Sequence, residues 1–171
     1  MNKKIIFITG GTRSGKSSFA LQKAMKLQGK RAYIATAEAL DEEMEERIKK
    51  HKKDRGNDWD TYEEPLKIPG VLKKIESQYA VIVLDCLTLW LSNLLHSNKN
   101  AEEEIESFCN SLSTIHGSLF IVSNEVGMGI VPENELARKF RDLAGIINQK
   151  VARASDEVFM VVAGIPVKIK G

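Results

Sequence analysis

Cysteine is scarce in this chain of 171 residues: only Cys86 and Cys109 occur, far apart and in no CxxC pair. That excludes a disulfide framework and a cysteine-based zinc site, and it reads as ordinary reduced thiols in a cytoplasmic protein. Net charge is nearly absent too, at +2. Such a balance argues against a dedicated nucleic-acid binder, while leaving room for a local basic patch that holds a phosphate-rich ligand. No apolar run reaches the ~20 residues of a membrane span. The opening "MNKKIIFITGG" carries two lysines and a short apolar stretch. That stretch is about five residues, below the ~7–15 of a signal-peptide core, and it runs into a glycine loop, so it reads as a first strand. Repeats, low-complexity tracts and domain linkers are missing. Residues 1–171 therefore read as one domain, long enough to bury a core.

What is present is an ordinary globular composition, 43% hydrophobic and 28% charged. Five short, β-branched and almost continuously apolar stretches read as strands covered on both faces: "KIIFIT" (4–9), "RAYIAT" (31–36), "AVIVLD" (80–85), "SLFIVSN" (118–124) and "EVFMVVAG" (157–164). Helical segments are expected between them, over 16–28, 41–54, 67–77, 86–97 with 101–114, and 133–154. This alternation implies parallel strands, right-handed crossovers and helices on both faces, a three-layer α/β fold. The closing "GIPVKIKG" is expected to return as an antiparallel edge strand whose lysines blunt the edge. The segment 55–66, "RGNDWDTYEEPL", has mixed polarity and takes no assignment.

The strongest local signal is "GGTRSGKS". Gly10, four residues, then Gly15-Lys16-Ser17 fit G-x4-G-K-[ST], with a strand ending at Thr9 and a helix beginning near Lys16. Glycines let the backbone curl until its N–H groups converge on phosphate oxygens, and the helix N-terminus adds partial positive charge. Lys16 would neutralise the β- and γ-phosphates, Ser17 would ligate Mg²⁺, and Arg13 would add a cation within the loop. "AVIVLD" is the matching second element: Asp85 ends a strand at the ligand-binding edge, where it supports Mg²⁺, caps the next helix, or does both. Together these features place the chain in the P-loop NTPase (RecA-like) class, with a mostly parallel sheet. They leave the reaction open, because that fold serves kinases, switches, motors and transferases.

A histidine narrows the choice. "RIKKHKKDRG" (47–56) sets His51 among six cations: Arg47, Lys49, Lys50, Lys52, Lys53 and Arg55. On a helix, Leu40, Met44, Ile48 and His51 share one face, so His51 extends an apolar stripe and is expected to face the protein body. Glu43–Arg47, Glu45–Lys49 and Glu46–Lys50 form i,i+4 pairs on the remaining surface. An inward imidazole beside a triphosphate is a nucleophile, a phosphate ligand, or a satisfied core or interface residue. His96, ending a helix, and His116, in the turn "TIHGS", have no such setting.

These segments match a known family. "TGGTRSGKS", "YIATAEALDEEMEERIKKHKKDR", "LDCLTLWLSNLL", "SNEVGMGIVPENELARKFRDLAGIINQKVA" and "SDEVFMVVAGIPVKIKG" cover nearly the whole chain. Together they resemble the bifunctional adenosylcobinamide kinase / adenosylcobinamide-phosphate guanylyltransferase of cobalamin biosynthesis. The P-loop is generic; "NEVGMGIVPEN" and the histidine segment are specific. The resemblance implies phosphorylation of adenosylcobinamide with ATP or GTP, and then transfer of GMP from GTP to that phosphate through a GMP–histidine intermediate. The products are adenosylcobinamide-GDP and pyrophosphate. His51 matches the guanylylated histidine; some relatives carry a second histidine just before it, where Lys50 stands here. The family's nucleotide contacts fall on Thr9, Gly10, Gly11, Thr12, Arg13, Ser14, Gly15 and Lys16, on Ala35, Thr36 and Ala37, on Lys52, Lys53, Asp54 and Arg55, and on Glu63 and Asp85. A homotrimer is implied as well. A P-loop kinase of another small alcohol and a nucleotide-dependent switch are the rival readings. The corrinoid site is not legible; "SNEVGMGIVPEN" is the best candidate for part of it, and a mere turn accounts for its glycines equally well.

Overall fold

The computed structural model describes residues 3–39 and 41–171, with the side chains of Arg47 and Asp54 excepted. Seven strands form one sheet in the order β3-β2-β4-β5-β1-β6-β7. They are β1 (Lys4–Gly10), β2 (Arg31–Ala35), β3 (Asp60–Glu63), β4 (Val81–Asp85), β5 (Ser118–Val122), β6 (Glu157–Val162) and β7 (Ile165–Lys170). Every neighbouring pair is parallel except β6 with β7, which is antiparallel with a register shift at Val158/Phe159. Among the described residues the α-helices are α1 (Lys16–Met25), α2 (Glu42–Arg55), α3 (Ile68–Ile75), α4 (Leu87–Leu95), α5 (Ala101–Ser111) and α6 (Glu135–Ala154). The five expected strands and the C-terminal edge strand are all present. The unassigned segment 55–66 contains β3, which pairs with β2 at the opposite edge.

Alternation along the central strands builds two cores. Ile5, Phe7, Ile34, Ile82, Leu84, Leu119 and Ile121 point to one face, under α3, α4, α5 and α6. Their neighbours Ile6, Ile8, Tyr33, Val83, Phe120 and Val122 point to the other, where Ala20, Leu21 and Ala24 of α1 cover them. Both faces are dry, so these strands read as continuous apolar runs. No helix among the described residues is long and apolar enough to cross a membrane.

Local chemistry explains the helix ends. Asp41 caps α2 by accepting from the Met44 N–H at 2.7 Å, and Asn134 caps α6 by accepting from the Ala137 N–H at 3.0 Å. The Asn134 cap places the start of α6 two residues beyond the sequence expectation. At its other end, Lys170 of β7 donates to the carbonyls of Ala152, Arg153 and Ser155 at 2.9, 2.9 and 2.6 Å, so an edge lysine also closes a helix C-terminus.

Candidate active site

The C-terminal ends of the parallel strands carry the residues expected to act. The P-loop joins β1 to α1. Gly10 sits at φ +148°, where an added Cβ would lie 2.3 Å from the Val161 carbonyl oxygen, and Gly15, the N-cap of α1, sits at φ +96°. Only glycine fits at those two points. The loop is tied down by Ser14 N–H to the Gly11 carbonyl at 3.3 Å and Gly164 N–H to the Ser14 carbonyl at 2.9 Å. Lys16 is buried and donates to the Gly11 carbonyl at 2.6 Å. Burial pulls its ammonium below the ordinary lysine value, against the opposing pull of Cys86 and Asp85. Arg13 (φ 56°) points outward and reaches within 3.9 Å of Glu43 in the first turn of α2.

Strand register aligns the next group. Glu63 of β3, Ala35 of β2 and Asp85 of β4 stand opposite one another in adjacent strands. Asp85 does not cap α4: the N-cap residue is Cys86, with no side-chain capping bond. Asp85 Oδ2 instead accepts from the Tyr33 hydroxyl at 2.7 Å. Burial first, and then the Asp85 carboxylate, hold the Tyr33 phenol well above the ordinary tyrosine value, so it remains a donor. The Ser17 hydroxyl and the Asp85 carboxylate are hard oxygen donors, a set that fits Mg²⁺ when phosphates and water supply its remaining ligands. Thr36 is fully buried, its hydroxyl donating to the Cys86 carbonyl and accepting from the Cys86 N–H, both at 2.8 Å. The Cys86 thiol is also buried, which pushes it up to about 11, so it stays neutral and unreactive at neutral pH.

Between this edge and α2 lies a cavity of about 620 Å³. Met44, Ile48 and His51 line it, so the predicted stripe does face inward, yet His51 remains exposed to the cavity opening and is not a core residue. Leu40, the first residue of that stripe, lies outside the described residues. Lys52, Arg55, Glu63 and Asp85 line the same cavity with Ala35 and Ala37. Arg55 is buried, its guanidinium 3.8 Å above the Tyr33 ring, and Lys52 pairs with Glu63. Lys53 is exposed on the other side of α2 and does not line the cavity, while the side chain of Asp54 lies outside the described residues. Of the three expected helix pairs, Glu45–Lys49 forms at 2.7 Å. Glu46–Lys50 does not form among the described residues, and Glu43–Arg47 falls on an undescribed side chain.

Two histidines are set apart. His96 is the C-cap of α4, its Nδ1 2.8 Å from the Ser92 carbonyl, and His116 precedes β5 at the opposite end of the sheet. Tyr33 and Leu89 also line the cavity and were not anticipated. Tyr33 could have been found: it stands two residues before Ala35 in β2, so alternation puts its phenol on the face that carries Asp85. In the segment 123–134, Met128, Ile130 and Val131 are exposed by 77%, 96% and 59%, and the Glu125 N–H donates to the Gly10 carbonyl at 2.9 Å. Neither Gly127 nor Gly129 lies at positive φ.

Comparison with known proteins follows the same lines. The family model described as "CobU: Cobinamide kinase / cobinamide phosphate guanyltransferase" matches residues 6–169. The bifunctional adenosylcobalamin biosynthesis protein CobP of Pseudomonas aeruginosa is 40% identical over 166 residues, covering 96% of each chain. The corresponding protein CobU of Escherichia coli is 39% identical over 181 residues, covering 97% of this chain and 99% of its own. Among solved structures, the flagellar accessory protein FlaH of Methanocaldococcus jannaschii superposes with a TM-score of 0.50 at 14% identity, over 98% of this chain and 78% of its own. A prototypical ATPase of the type III secretion system gives 0.53 at 11% identity, over 96% and 56%. These likenesses show the P-loop, RecA-like fold.

Proposed function

The chain belongs to the cobinamide kinase / cobinamide phosphate guanyltransferase family, bifunctional small-molecule kinases and guanylyltransferases, and from that premise we propose the chemistry of its single domain. The enzyme phosphorylates adenosylcobinamide with ATP or GTP. It then transfers GMP from GTP to the resulting phosphate, through a GMP adduct of His51. The observation that carries this reading is the placement of His51 on the wall of the cavity that also holds Asp85, Arg55 and Lys52.

In the kinase step the acceptor hydroxyl oxygen bonds to the γ-phosphorus, the bond to the β,γ-bridging oxygen breaks, and the nucleoside diphosphate leaves. The hydroxyl proton is released. Loop N–H groups and Lys16 hold the phosphates, and alignment with charge neutralisation supplies most of the rate. In the guanylyl step an imidazole nitrogen of His51 bonds to the α-phosphorus and pyrophosphate leaves. A phosphate oxygen of the corrinoid then displaces the imidazole and takes the GMP. Lys16, Lys52 and Arg55 stabilise charge building on the phosphate and the leaving group. Ser17 and Asp85 would hold Mg²⁺, which would supply further neutralisation of the triphosphate.

The exposed apolar side chains of segment 123–134, tied to the P-loop through Glu125 and Gly10, support this segment as part of the corrinoid site. A homotrimer is supported by the family likeness and by Ile165, Val167 and Ile169, which leave β7 with an exposed apolar face. The cytoplasm is the expected compartment.

The test uses GTP labelled at either the α- or the γ-phosphate, incubated with the protein and no acceptor. The α-label becomes covalently attached with release of pyrophosphate, in a bond labile to acid and stable to alkali, and the γ-label does not stay. Retention of neither label would remove the guanylyl-enzyme reading and leave a simple kinase.

A further inference from the structure

Asp85 accepts a 2.7 Å hydrogen bond from a residue with no role in the chemistry above. Tyr33 is 3% exposed and sits on β2, where Tyr33 pairs with Val83 and Ala35 with Asp85. The phenol therefore approaches Asp85 diagonally from the neighbouring strand, on the same face, and the small Ala35 directly opposite leaves it room. Its ring is held on two sides. The Arg55 guanidinium lies 3.8 Å above its centre, and the Trp59 ring meets it edge-on, with centroids 6.2 Å apart at 85°. A phenylalanine would fill this position as well, and burying a hydroxyl is costly unless it is bonded. This hydroxyl donates to Asp85, and the Arg55 guanidinium also stands close to it.

We propose that Tyr33 is a positioning residue: clamped between Arg55 and Trp59, its hydroxyl fixes one oxygen of Asp85 so that the other faces the Mg²⁺ of the bound nucleotide. This rests on the reading of Asp85 as the carboxylate that supports the ion. Such outer partners orient a ligating carboxylate, and losing one costs affinity for the metal without touching the metal itself.

The test measures binding, free of turnover. Affinity for α,β-methylene GTP, which cannot release pyrophosphate, is measured by calorimetry in Mg²⁺ and in EDTA. The ratio of the two is the strengthening due to the ion. Tyr33→Phe reduces that ratio about tenfold, and leaves the affinity in EDTA and the thermal midpoint unchanged because the ring stays under Arg55. Asp85→Asn reduces the ratio at least as far, and the double variant Tyr33→Phe/Asp85→Asn shows no further loss. A Tyr33→Phe protein with the full ratio, beside an Asp85→Asn protein that has lost it, overturns the role of Tyr33 and leaves Asp85 in place. A full ratio in Asp85→Asn removes Asp85 from the ion, and this proposal with it. A parallel fall of EDTA affinity and thermal midpoint in Tyr33→Phe makes Tyr33 a packing residue only.

Discussion

Arg55 lies one helical turn beyond His51 on α2, and its guanidinium rests 3.8 Å above the Tyr33 ring of β2. The other described side chains of α2 are exposed or half-buried, so this buried stack seats its C-terminal end on the sheet. The position of the imidazole on the cavity wall follows from it. Arg55→Lys keeps the charge and loses the flat, weakly hydrated surface that stacks. The rate of His51 labelling by α-labelled GTP should fall about tenfold or more, since a displacement near 1 Å can cost more than that. Single-turnover labelling measures it, and an unchanged rate would mean that α2 is seated by other contacts.

His51→Ala should abolish covalent labelling and guanylyl transfer while sparing most of the kinase activity, because γ-transfer to an alcohol needs no protein nucleophile. His96→Ala and His116→Ala should label normally, as both side chains lie away from the cavity. Loss of both activities in a folded His51→Ala protein would point to a phosphate-binding role instead.

Lys16→Ala should weaken both activities by about 10²-fold or more, since both reactions need the β- and γ-phosphates held in place. Parallel assays of phosphorylation and guanylyl transfer check this. Normal GMP transfer by the variant would detach the loop from that step.

Stability in acid should depend on Glu157. Lys4, Lys23 and Lys168 surround it at 2.5, 3.1 and 3.5 Å, and the Lys4 hydrogen bond foremost, with Lys23 after it, holds its carboxyl at about 2, below the ordinary 4.5, against the opposing pull of burial. A carboxylate depressed on folding stabilises above its unfolded value, and that contribution is lost as pH falls through the folded one. Glu157→Gln should therefore be less stable than the parent by about 1–2 kcal/mol at neutral pH. The gap should shrink from about pH 4.5 downward and close near pH 2. Urea unfolding at several pH values measures it, and a gap independent of pH would assign the loss to packing.

Much of the architecture was legible because its determinants are local. Continuous apolar runs in β1, β2, β4, β5 and β6 mark strands covered on both faces, and Gly15 answers to a backbone angle set within the loop itself. Asp41 and Asn134 start their helices by accepting from N–H groups three residues on, although the expected start of α6 is 133. The 3.6-residue period placed Met44, Ile48 and His51 on one face, and the cavity contains all three.

The rest depends on contacts between distant segments. β3 has a mixed pattern, "DTYE", because it is an edge strand of four residues, half solvated, and its pairing with β2 comes from register in the assembled sheet. Whether Asp85 caps a helix or faces the ligand edge was open in the sequence, since either role suits an aspartate at a strand end. Cys86 takes the N-cap position and the Tyr33 hydroxyl takes one Asp85 oxygen, which settles the local geometry. Sequence determined that His51 sits on the inner stripe of a helix among cations. Tertiary structure decided that this stripe borders an open cavity where a core could have stood, because the stack of Arg55 on Tyr33 seats only the far end of the helix. That geometry leaves His51 exposed on the wall of the cavity that Lys52, Glu63 and Asp85 also line.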